Sequence, residues 1–144
     1  MNLKIRKMTI NDAGSLYGLL SDPKVMKYLE HPYSKEQTEQ FLIKAGLSEK
    51  PLIYAIENND NFIGYLIYHD YDEENMEIGW VLHPSYWHKG IATILTSQMI
   101  EKTKRNGKHV IIECVPEQKS TRRIAEKFGF QNIGMDKELM VYRL

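Results

Sequence analysis

Residues 80–93 read Trp-Val-Leu-His-Pro-Ser-Tyr-Trp-His-Lys-Gly-Ile-Ala-Thr and carry the densest local signal in the chain. A strand is expected to end near Leu82, and a helix is expected to begin around Gly90 after a short loop. A helix start leaves backbone N–H groups unpaired and carries partial positive charge, so it attracts phosphate. Gly90 and Ala92 keep bulky side chains away, and Lys89 adds a formal charge. The stretch predicts either an anion-binding helix start or an ordinary strand–loop–helix connection with a glycine turn.

Hydrophobic periodicity on either side of this stretch predicts an α+β fold with a mixed central sheet. Asn11 or Asp12 is expected to cap the first helix, and Ser34 with Gln37 resembles a capping box that opens another. The segments expected in the chain are a strand near Leu3–Met8, strands at Leu52–Glu57, Phe62–His69 and Met76–Leu82, a helix from Gly90, a strand at Val110–Val115, a helix at Gln118–Phe128 and a closing hairpin from Met135 to Leu144.

Length and composition indicate one ordinary globular domain over residues 1–144. The chain is 42% hydrophobic and 26% charged, and 19 Lys+Arg balance 19 Asp+Glu. Disorder would require fewer apolar residues and a large net charge. Zero net charge argues against nucleic acid as a partner bound through the bulk field of the protein. No apolar run reaches the roughly 18–20 residues that span a bilayer, and the start lacks a signal-peptide pattern. A cytoplasmic protein with no membrane partner is therefore expected.

The cysteine and histidine patterns argue against a metal centre. Cys114 is the single cysteine, which excludes an intramolecular disulfide framework and a multi-cysteine zinc site. It falls in an apolar strand, where cysteines are usually inert core residues. His83 and His88 are five residues apart across a loop that contains a proline, without the spacing of a metal pair on a helix. No metal is predicted.

The same stretch resembles the acetyl-CoA signature of the GNAT N-acetyltransferases. That signature is written (Q/R)-x-x-G-x-(G/A), and Trp87 stands where Gln or Arg is usual. Tryptophan at that place is familiar in the branch resembling Rim-type ribosomal-protein and antibiotic acetyltransferases, whose local pattern is Y-W-G-K-G-x-A. Residues 86–92 match that pattern except at His88.

A second motif of that branch, N-x-x-S-x-R-V-x-E-K-x-G-F, is similar to residues 118–130, with Gln for Asn and Thr for Ser. The opening, Asp12-Ala13 followed by residues 22–29, is also typical of the branch, so the resemblance covers nearly the whole chain. It implies a GNAT fold, with a mixed, mostly antiparallel central sheet flanked by helices. It also implies transfer of acetyl from acetyl-CoA to a primary amine.

The resemblance implies three places that contact acetyl-CoA, with no metal involved. The pyrophosphate is expected on amides of the helix start, and the pantetheine arm is expected to pair with the end of the preceding strand like an added strand. The family's Asn position usually contacts the pantetheine. An arginine on the last helix either meets a phosphate or is solvated on a helix face. The residues concerned are His88, Lys89, Gly90, Ile91, Ala92 and Thr93 for the pyrophosphate, Trp80, Val81 and Leu82 for the arm, Gln118 at the Asn position, and Arg123.

The chemistry that the resemblance implies is direct attack by an amine, which must first lose a proton. Glu77 is the first candidate for the base and Glu113, on the neighbouring strand, is the second. Each is alternatively a carboxylate that merely occupies a strand face. Many family members place a Tyr acid where this chain has Ala125. Thr121, at the Ser place, is expected either to hydrogen-bond the leaving thiolate or to cap the helix.

The acceptor is left open by the sequence, since a protein N-terminus and a small-molecule amine are equally compatible with the resemblance. The acidic run at residues 70–74 is expected either to attract a cationic acceptor or to be a solvated turn. Because one acid of the family is missing, a non-catalytic CoA-binding or sensing module of the same fold is the alternative function. A homodimer is possible, as in many relatives.

Overall fold

The computed structural model describes residues 1–144. The chain divides into two compact units. Unit 1 contains residues 1–68 and 80–89, and unit 2 contains residues 69–79 and 90–144. No helix is both long and apolar enough to cross a membrane.

Seven strands form the sheet, in the order β1-β2-β3-β4-β5-β7-β6. Strands β1–β2, β2–β3, β5–β7 and β6–β7 pair antiparallel, and β4–β5 is a parallel pair. Together with the flanking helices, this confirms the predicted α+β class and the mixed, mostly antiparallel sheet. The strands are β1 (Leu3–Arg6), β2 (Ile53–Asn58), β3 (Asn61–Asp70), β4 (Asn75–Leu82), β5 (His109–Cys114), β6 (Gln131–Asp136) and β7 (Leu139–Arg143).

Three short α-helices lie in unit 1: α1 (Ala13–Leu20), α2 (Pro23–Met26) and α3 (Lys35–Phe41). Ser34 caps α3 with the predicted capping box, because its side chain accepts from the N–H of Gln37 and the Gln37 side chain accepts from the N–H of Ser34. After Phe41 the helix widens into a π-turn at Leu42–Gly46.

Asp12 occupies the N-cap position of α1, as predicted, but its side chain makes no cap bond to that helix. Its carboxylate belongs to the capping box of the preceding 3-10 turn at Ile10–Asp12, where it accepts from the N–H of Thr9 at 2.8 Å. It also accepts from both terminal nitrogens of Arg6, at 2.9 and 2.8 Å. A charge-assisted, bidentate bond of this kind is stronger than a neutral one, so it competes with a cap bond to α1.

The core of unit 1 forms where β2 and β3 pack against α1 and the segment around α3. Its fully buried members include Leu16 and Leu42, and apolar side chains buried this way supply most of the stability of such a layer. The buried cluster consists of Met8, Leu16, Leu19, Leu20, Val25, Met26, Leu42, Ala45, Ile53, Ala55, Tyr65 and Val81.

Unit 2 contains the two longer helices, α4 (Ile91–Arg105) and α5 (Lys119–Lys127). Gly107 and Gly129 follow their last turns at positive φ, +74° and +87°, the left-handed conformation that ends helices. The closing hairpin begins earlier than predicted, at Gln131 instead of Met135. All six residues of β6 are exposed, so β6 lacks the apolar alternation from which a strand is recognised.

Candidate functional site

The start of α4 leaves a run of backbone donors without acceptors. The first hydrogen bond of the helix runs from the N–H of Ile94 to the carbonyl of Gly90, at 3.1 Å, and no side chain caps the helix. The six preceding amides, those of residues 88–93, donate no hydrogen bond within the protein. Unpaired N–H groups at a helix start form a site for an anion, because their dipoles point the same way.

The backbone conformation explains why these amides are open to solvent. His88 and Gly90 both have positive φ, +58° and +80°, on either side of Lys89. Alternating conformations of this kind turn successive N–H groups toward one concavity, which favours anions. A Cβ built on Gly90 would meet no atom within 4 Å, so the Cβ side of Gly90 is open. A positive φ is less favourable for histidine than for glycine. This explains why the pattern Y-W-G-K-G-x-A has glycine at the position of His88.

Trp87 ties this loop to the end of β4. Its indole N–H donates to the carbonyl of Leu82 at 2.8 Å, while its backbone N–H donates to the carbonyl of Pro84 at 3.1 Å. Trp87 is 37% exposed, so it holds the loop in place while part of the residue contacts solvent. The ammonium of Lys89 lies 5.7 Å from the ring centre of Tyr86, a cation–π contact that holds the charge beside the loop.

The end of β4 is closely backed by β3. A Cβ on Gly64 would lie 2.1 Å from the carbonyl oxygen of Val81, so only glycine allows this approach. The side chains of Val81 and Leu82 are buried and Trp80 is half-buried. The pairing of β4 with β5 ends at Glu77 opposite Ile111, although β4 continues to Leu82. Ile78 and Gly79 thus have no paired residue on β5.

Helix α5 places its candidate residues unequally. The side-chain oxygen of Gln118 accepts from the N–H of Val115 at 3.0 Å, so this oxygen is already engaged. Thr121 is half-buried in the first turn and makes no hydrogen bond, so the structure does not support a capping role. Arg123 is exposed, whereas its neighbour Arg122 bonds the Tyr142 hydroxyl and the Pro116 carbonyl. Ala125 is fully buried.

Glu77 and Glu113 form a close pair in unit 2. Glu77 lies opposite Ile111 in the parallel pairing, and since side chains alternate along a strand, Glu113 projects from the same face two residues further on. Oε2 of Glu113 is buried and has no hydrogen-bond partner among the protein's donors. Two carboxylates this close share a proton, because both cannot ionise cheaply in a site with little water.

The pKa values of the pair follow from this arrangement. Burial raises the pKa of Glu113 to about 7, helped by the negative charge of Glu77, the hydrogen bond to it and the charge of Asp136. Burial also raises the pKa of Glu77, while its hydrogen bond with Glu113 acts in the opposite direction. The two carboxylates therefore share one proton near neutral pH. Carboxylates poised near neutral pH are suited to proton transfer.

Two further side chains accompany this pair. Nε2 of His69 lies 3.9 Å from Oε2 of Glu77. The phenol of Tyr71 has a raised pKa, first because of burial and then because of the charges of Glu113, Asp136, Glu77 and Asp72. Sequence reasoning missed His69. The signal for His69 was available in the short turn between β3 and β4, which brings the end of one strand opposite the start of the next.

The acidic run at residues 70–74 is largely engaged. One carboxylate oxygen of Asp72 accepts from the N–H groups of Glu74 and Asn75, both at 2.9 Å, which builds the turn. Asp70 accepts from Lys108 at 3.1 Å. The run thus forms and closes the turn. No group of three or more His, Cys, Asp or Glu side chains is placed to hold a metal ion.

The comparisons with known proteins agree with this geometry. The family model described as Acetyltransferase (GNAT) domain matches residues 2–131. This chain belongs to the GNAT acetyltransferase family. The resemblance noted in the sequence is confirmed. YnaD of Bacillus subtilis (strain 168), named an uncharacterized N-acetyltransferase, is 30% identical over 141 residues, which cover 94% of this chain and 83% of YnaD.

Solved structures show the same fold. The crystal structure of a GNAT-family acetyltransferase from Bacillus anthracis superposes with a TM-score of 0.85 at 25% identity, covering 100% of this chain and 95% of that chain. RimL, a ribosomal L7/L12 alpha-N-protein acetyltransferase solved with coenzyme A, superposes with a TM-score of 0.79 at 18% identity and covers 100% and 94%. At that identity the RimL likeness shows a shared fold.

Proposed function

We propose that this GNAT protein is an N-acetyltransferase that moves the acetyl group of acetyl-CoA to a primary amine. The observation that carries the proposal is the run of six unbonded amides at residues 88–93, beside the Lys89 ammonium. A doubly charged pyrophosphate is the type of ligand that such a run binds. The absence of any atom within 4 Å of a Cβ on Gly90 leaves this side of the loop accessible. The match to the acetyltransferase family and the CoA bound to RimL support this ligand.

The pantetheine arm is proposed to lie along Trp80–Leu82, pairing with the backbone as an added strand would. The loss of β5 pairing after Glu77 supports this, because β-addition requires backbone groups without a strand partner. A backbone N–H in this segment would polarise the thioester carbonyl. With its side-chain oxygen engaged, Gln118 offers only its amide nitrogen to the arm. Arg123, exposed on α5, is proposed to contact a phosphate from solvent.

Glu77 is proposed to take the proton from the arriving ammonium, and Glu113 to hold the neighbouring proton that keeps Glu77 ionised. The positions support this division of roles, because Glu113 is the carboxylate with the buried, unpartnered oxygen. The unbonded hydroxyl of Thr121 is proposed to donate to the departing sulfur. A thiolate with pKa near 8.5 is a fair leaving group, so a hydroxyl is a sufficient donor.

A CoA-binding module without turnover is the second candidate. Its support is the buried methyl of Ala125, which stands where many relatives have a tyrosine acid and leaves no hydroxyl there. The two candidates share the ligand and differ in whether thiol is released.

The acceptor is proposed to be a peptide N-terminus or a small-molecule amine, the two classes that the sequence resemblance admits. The cytoplasm is the proposed location, since the one cysteine is an unpaired, buried thiol of the kind that reducing compartments preserve. A homodimer remains part of the proposal, to be read from sedimentation of the purified chain.

The test compares Gly90→Glu with Gly107→Glu in thermal unfolding with and without acetyl-CoA. Both glycines have positive φ and open surroundings, so both variants suffer the same backbone strain and gain the same charge. At about 100 times its Kd, acetyl-CoA should stabilise the wild type and Gly107→Glu by about 2.7 kcal/mol, a shift of several degrees. Gly90→Glu should show no shift, because its carboxylate occupies the phosphate position.

An equal shift in both variants would contradict the assigned position. No shift in the wild type would contradict the ligand. Thiol release with a panel of amines and peptide N-termini then separates the transferase from the module that only binds, since only the transferase produces CoA thiol in the presence of an acceptor.

A further inference from the structure

His69 lies beside the carboxylate pair, and each of its two ring nitrogens has a different neighbour. Nδ1 lies 2.9 Å from the backbone carbonyl oxygen of Asp70. A carbonyl oxygen only accepts hydrogen bonds, so Nδ1 carries the proton in this contact. The neutral ring therefore presents the lone pair of Nε2, and Nε2 is the nitrogen that faces Glu77.

The distance from Nε2 to Oε2 of Glu77 is 3.9 Å. A shift of about 1 Å brings these atoms into the usual range for a hydrogen bond. When Glu77 is ionised and the ring is neutral, both atoms are acceptors, so neither stabilises the other. Once Glu77 has gained a proton it becomes a donor, and Nε2 is an acceptor 3.9 Å from its Oε2. The contact is thus made after proton transfer to Glu77 and not before it.

The groups around Glu77 favour transfer of its proton toward His69 and solvent. Glu113, the proposed holder of the shared proton, has its Oε2 buried without a partner. The other ionisable groups beside the pair, Asp136 and Tyr71, are acidic and make the site favourable for a cation. The His69 side chain is 25% exposed, so its ring reaches water.

We propose that His69 is a positioning residue for Glu77 and the exit for the proton that Glu77 removes from the acceptor. The inference rests on the proposed function. The ammonium of the acceptor gives one proton to the Glu77 carboxylate, and the neutral amine then forms the C–N bond as the C–S bond breaks. The second nitrogen proton goes to the departing thiolate. The first proton passes from Oε2 of Glu77 to Nε2 of His69 and from there to water, which returns Glu77 to its ionised form.

The activity test uses His69→Asn with His109→Asn as the matched control. Asparagine places an N–H where Nδ1 was, so the bond to the Asp70 carbonyl is kept while Nε2 is removed. His109 is an exposed histidine at the start of β5. His69→Asn should lower kcat by about tenfold or more with an unchanged KM for acetyl-CoA, and added imidazole should restore part of the rate. His109→Asn should behave as the wild type. An unchanged kcat, or a loss that imidazole does not restore, would overturn the relay.

The second test needs no turnover, so it separates this inference from the proposed function. The ring nitrogens of His69 are followed by nitrogen NMR at pH 8 in the wild type and in Glu77→Gln. In both proteins Nδ1 should carry the proton, because it bonds the Asp70 carbonyl. The amide introduced by Glu77→Gln can donate to Nε2 as a protonated Glu77 would, so the Nε2 resonance should move upfield from its wild-type position. An Nε2 resonance at the same position in both proteins would overturn the inference even if acetyl transfer is observed. A moved resonance in a protein that transfers no acetyl would retain the contact and reject the transferase.

Discussion

The chain contains two clusters of paired carboxylates, one in each unit, and they behave in opposite ways. In unit 1, Asp12 and Glu57 are both bonded by Arg6, with Asp12 Oδ1 and Glu57 Oε2 each at 2.8 Å. Those hydrogen bonds lower the pKa of Asp12. In unit 2, Glu77 and Glu113 have no arginine or lysine between them, and burial raises the pKa of both.

The difference identifies which pair stabilises the fold and which is available for chemistry. An arginine between two carboxylates binds both of them, and this cluster holds β1, β2 and the turn at Thr9 together. A pair without a cation keeps one proton near neutral pH and can exchange it. Two neighbouring acidic residues therefore carry different roles according to the single side chain placed between them.

The largest expected effect is on the rate of acetyl transfer, which should depend on the Glu77–Glu113 pair and not on the pair bonded by Arg6. Glu77→Gln should lower acetyl transfer at neutral pH by about 10²–10⁴-fold, because the acceptor then loses its base, while acetyl-CoA affinity stays the same. Steady-state kinetics and a thermal shift with acetyl-CoA measure the two quantities. Glu57→Gln is the matched control, since it makes the same change in the pair held by Arg6 and should leave the rate unaltered. Equal rates for Glu77→Gln and the wild type would remove Glu77 as the base.

The next effect is on the free energy of unfolding. Arg6→Met should destabilise the protein by about 2–3 kcal/mol, because Asp12 and Glu57 lose their cation while partly buried. Urea unfolding at pH 7 measures the loss. The pKa of Asp12 is lowered, so its stabilising contribution is present above its unfolded value and is lost as pH falls. The penalty of Arg6→Met should therefore shrink toward pH 3. Arg123→Met, at an exposed arginine, should lie within about 0.5 kcal/mol of the wild type.

The smallest expected effect is on the stability contribution of Glu113, whose pH dependence is opposite to that of Asp12. Folding raises the pKa of Glu113 from 4.5 to about 7, so the folded protein holds a proton that the unfolded chain releases. The contribution of Glu113 to wild-type stability should therefore be fully present below pH 4.5, fall as pH rises to 7, and be absent above it. Glu113→Gln lacks this proton, so it should be more stable than the wild type at pH 8, by roughly 1–2 kcal/mol, with the gap closing at pH 5. Parallel stability curves between pH 5 and 8 would refute the shared proton.

The sequence was sufficient for the fold where local chemistry and packing agree. Ser34 and Gln37 make the capping box that their spacing predicts, and Gly107 follows α4 at positive φ, the conformation that glycine commonly supplies after a helix. Asp12 shows where local reasoning fails: it stands at the N-cap of α1, but its carboxylate bonds Arg6 and the N–H of Thr9 instead of that helix. The choice among these partners depends on how the chain turns after β1, which no pattern of single residues reveals.

The candidate site was also predictable from the sequence only where it depends on local chemistry. The helix start at Gly90 was recognisable because its glycine and missing cap are local properties. Glu77 and Glu113 were identified as candidates, but which of them holds the proton depends on burial. His69 was missed because its proposed role depends on which ring nitrogen faces Glu77. That orientation is set by the bond between Nδ1 and the Asp70 carbonyl. Nitrogen directions are set by three-dimensional contacts, and the sequence states only the residue type.

The position of Cys114 has a practical consequence for every assay described above. It is the only cysteine in the chain, it is 1% exposed, and burial raises the pKa of its thiol. Disulfide reagents react with thiolates that they can reach, so the folded protein contributes almost no colour of its own. A thiol-detecting dye can therefore be present throughout the reaction and report CoA in real time. A slow rise in a sample without acceptor would report the fraction of molecules that unfold and expose Cys114, so the background of the assay doubles as a measure of protein quality.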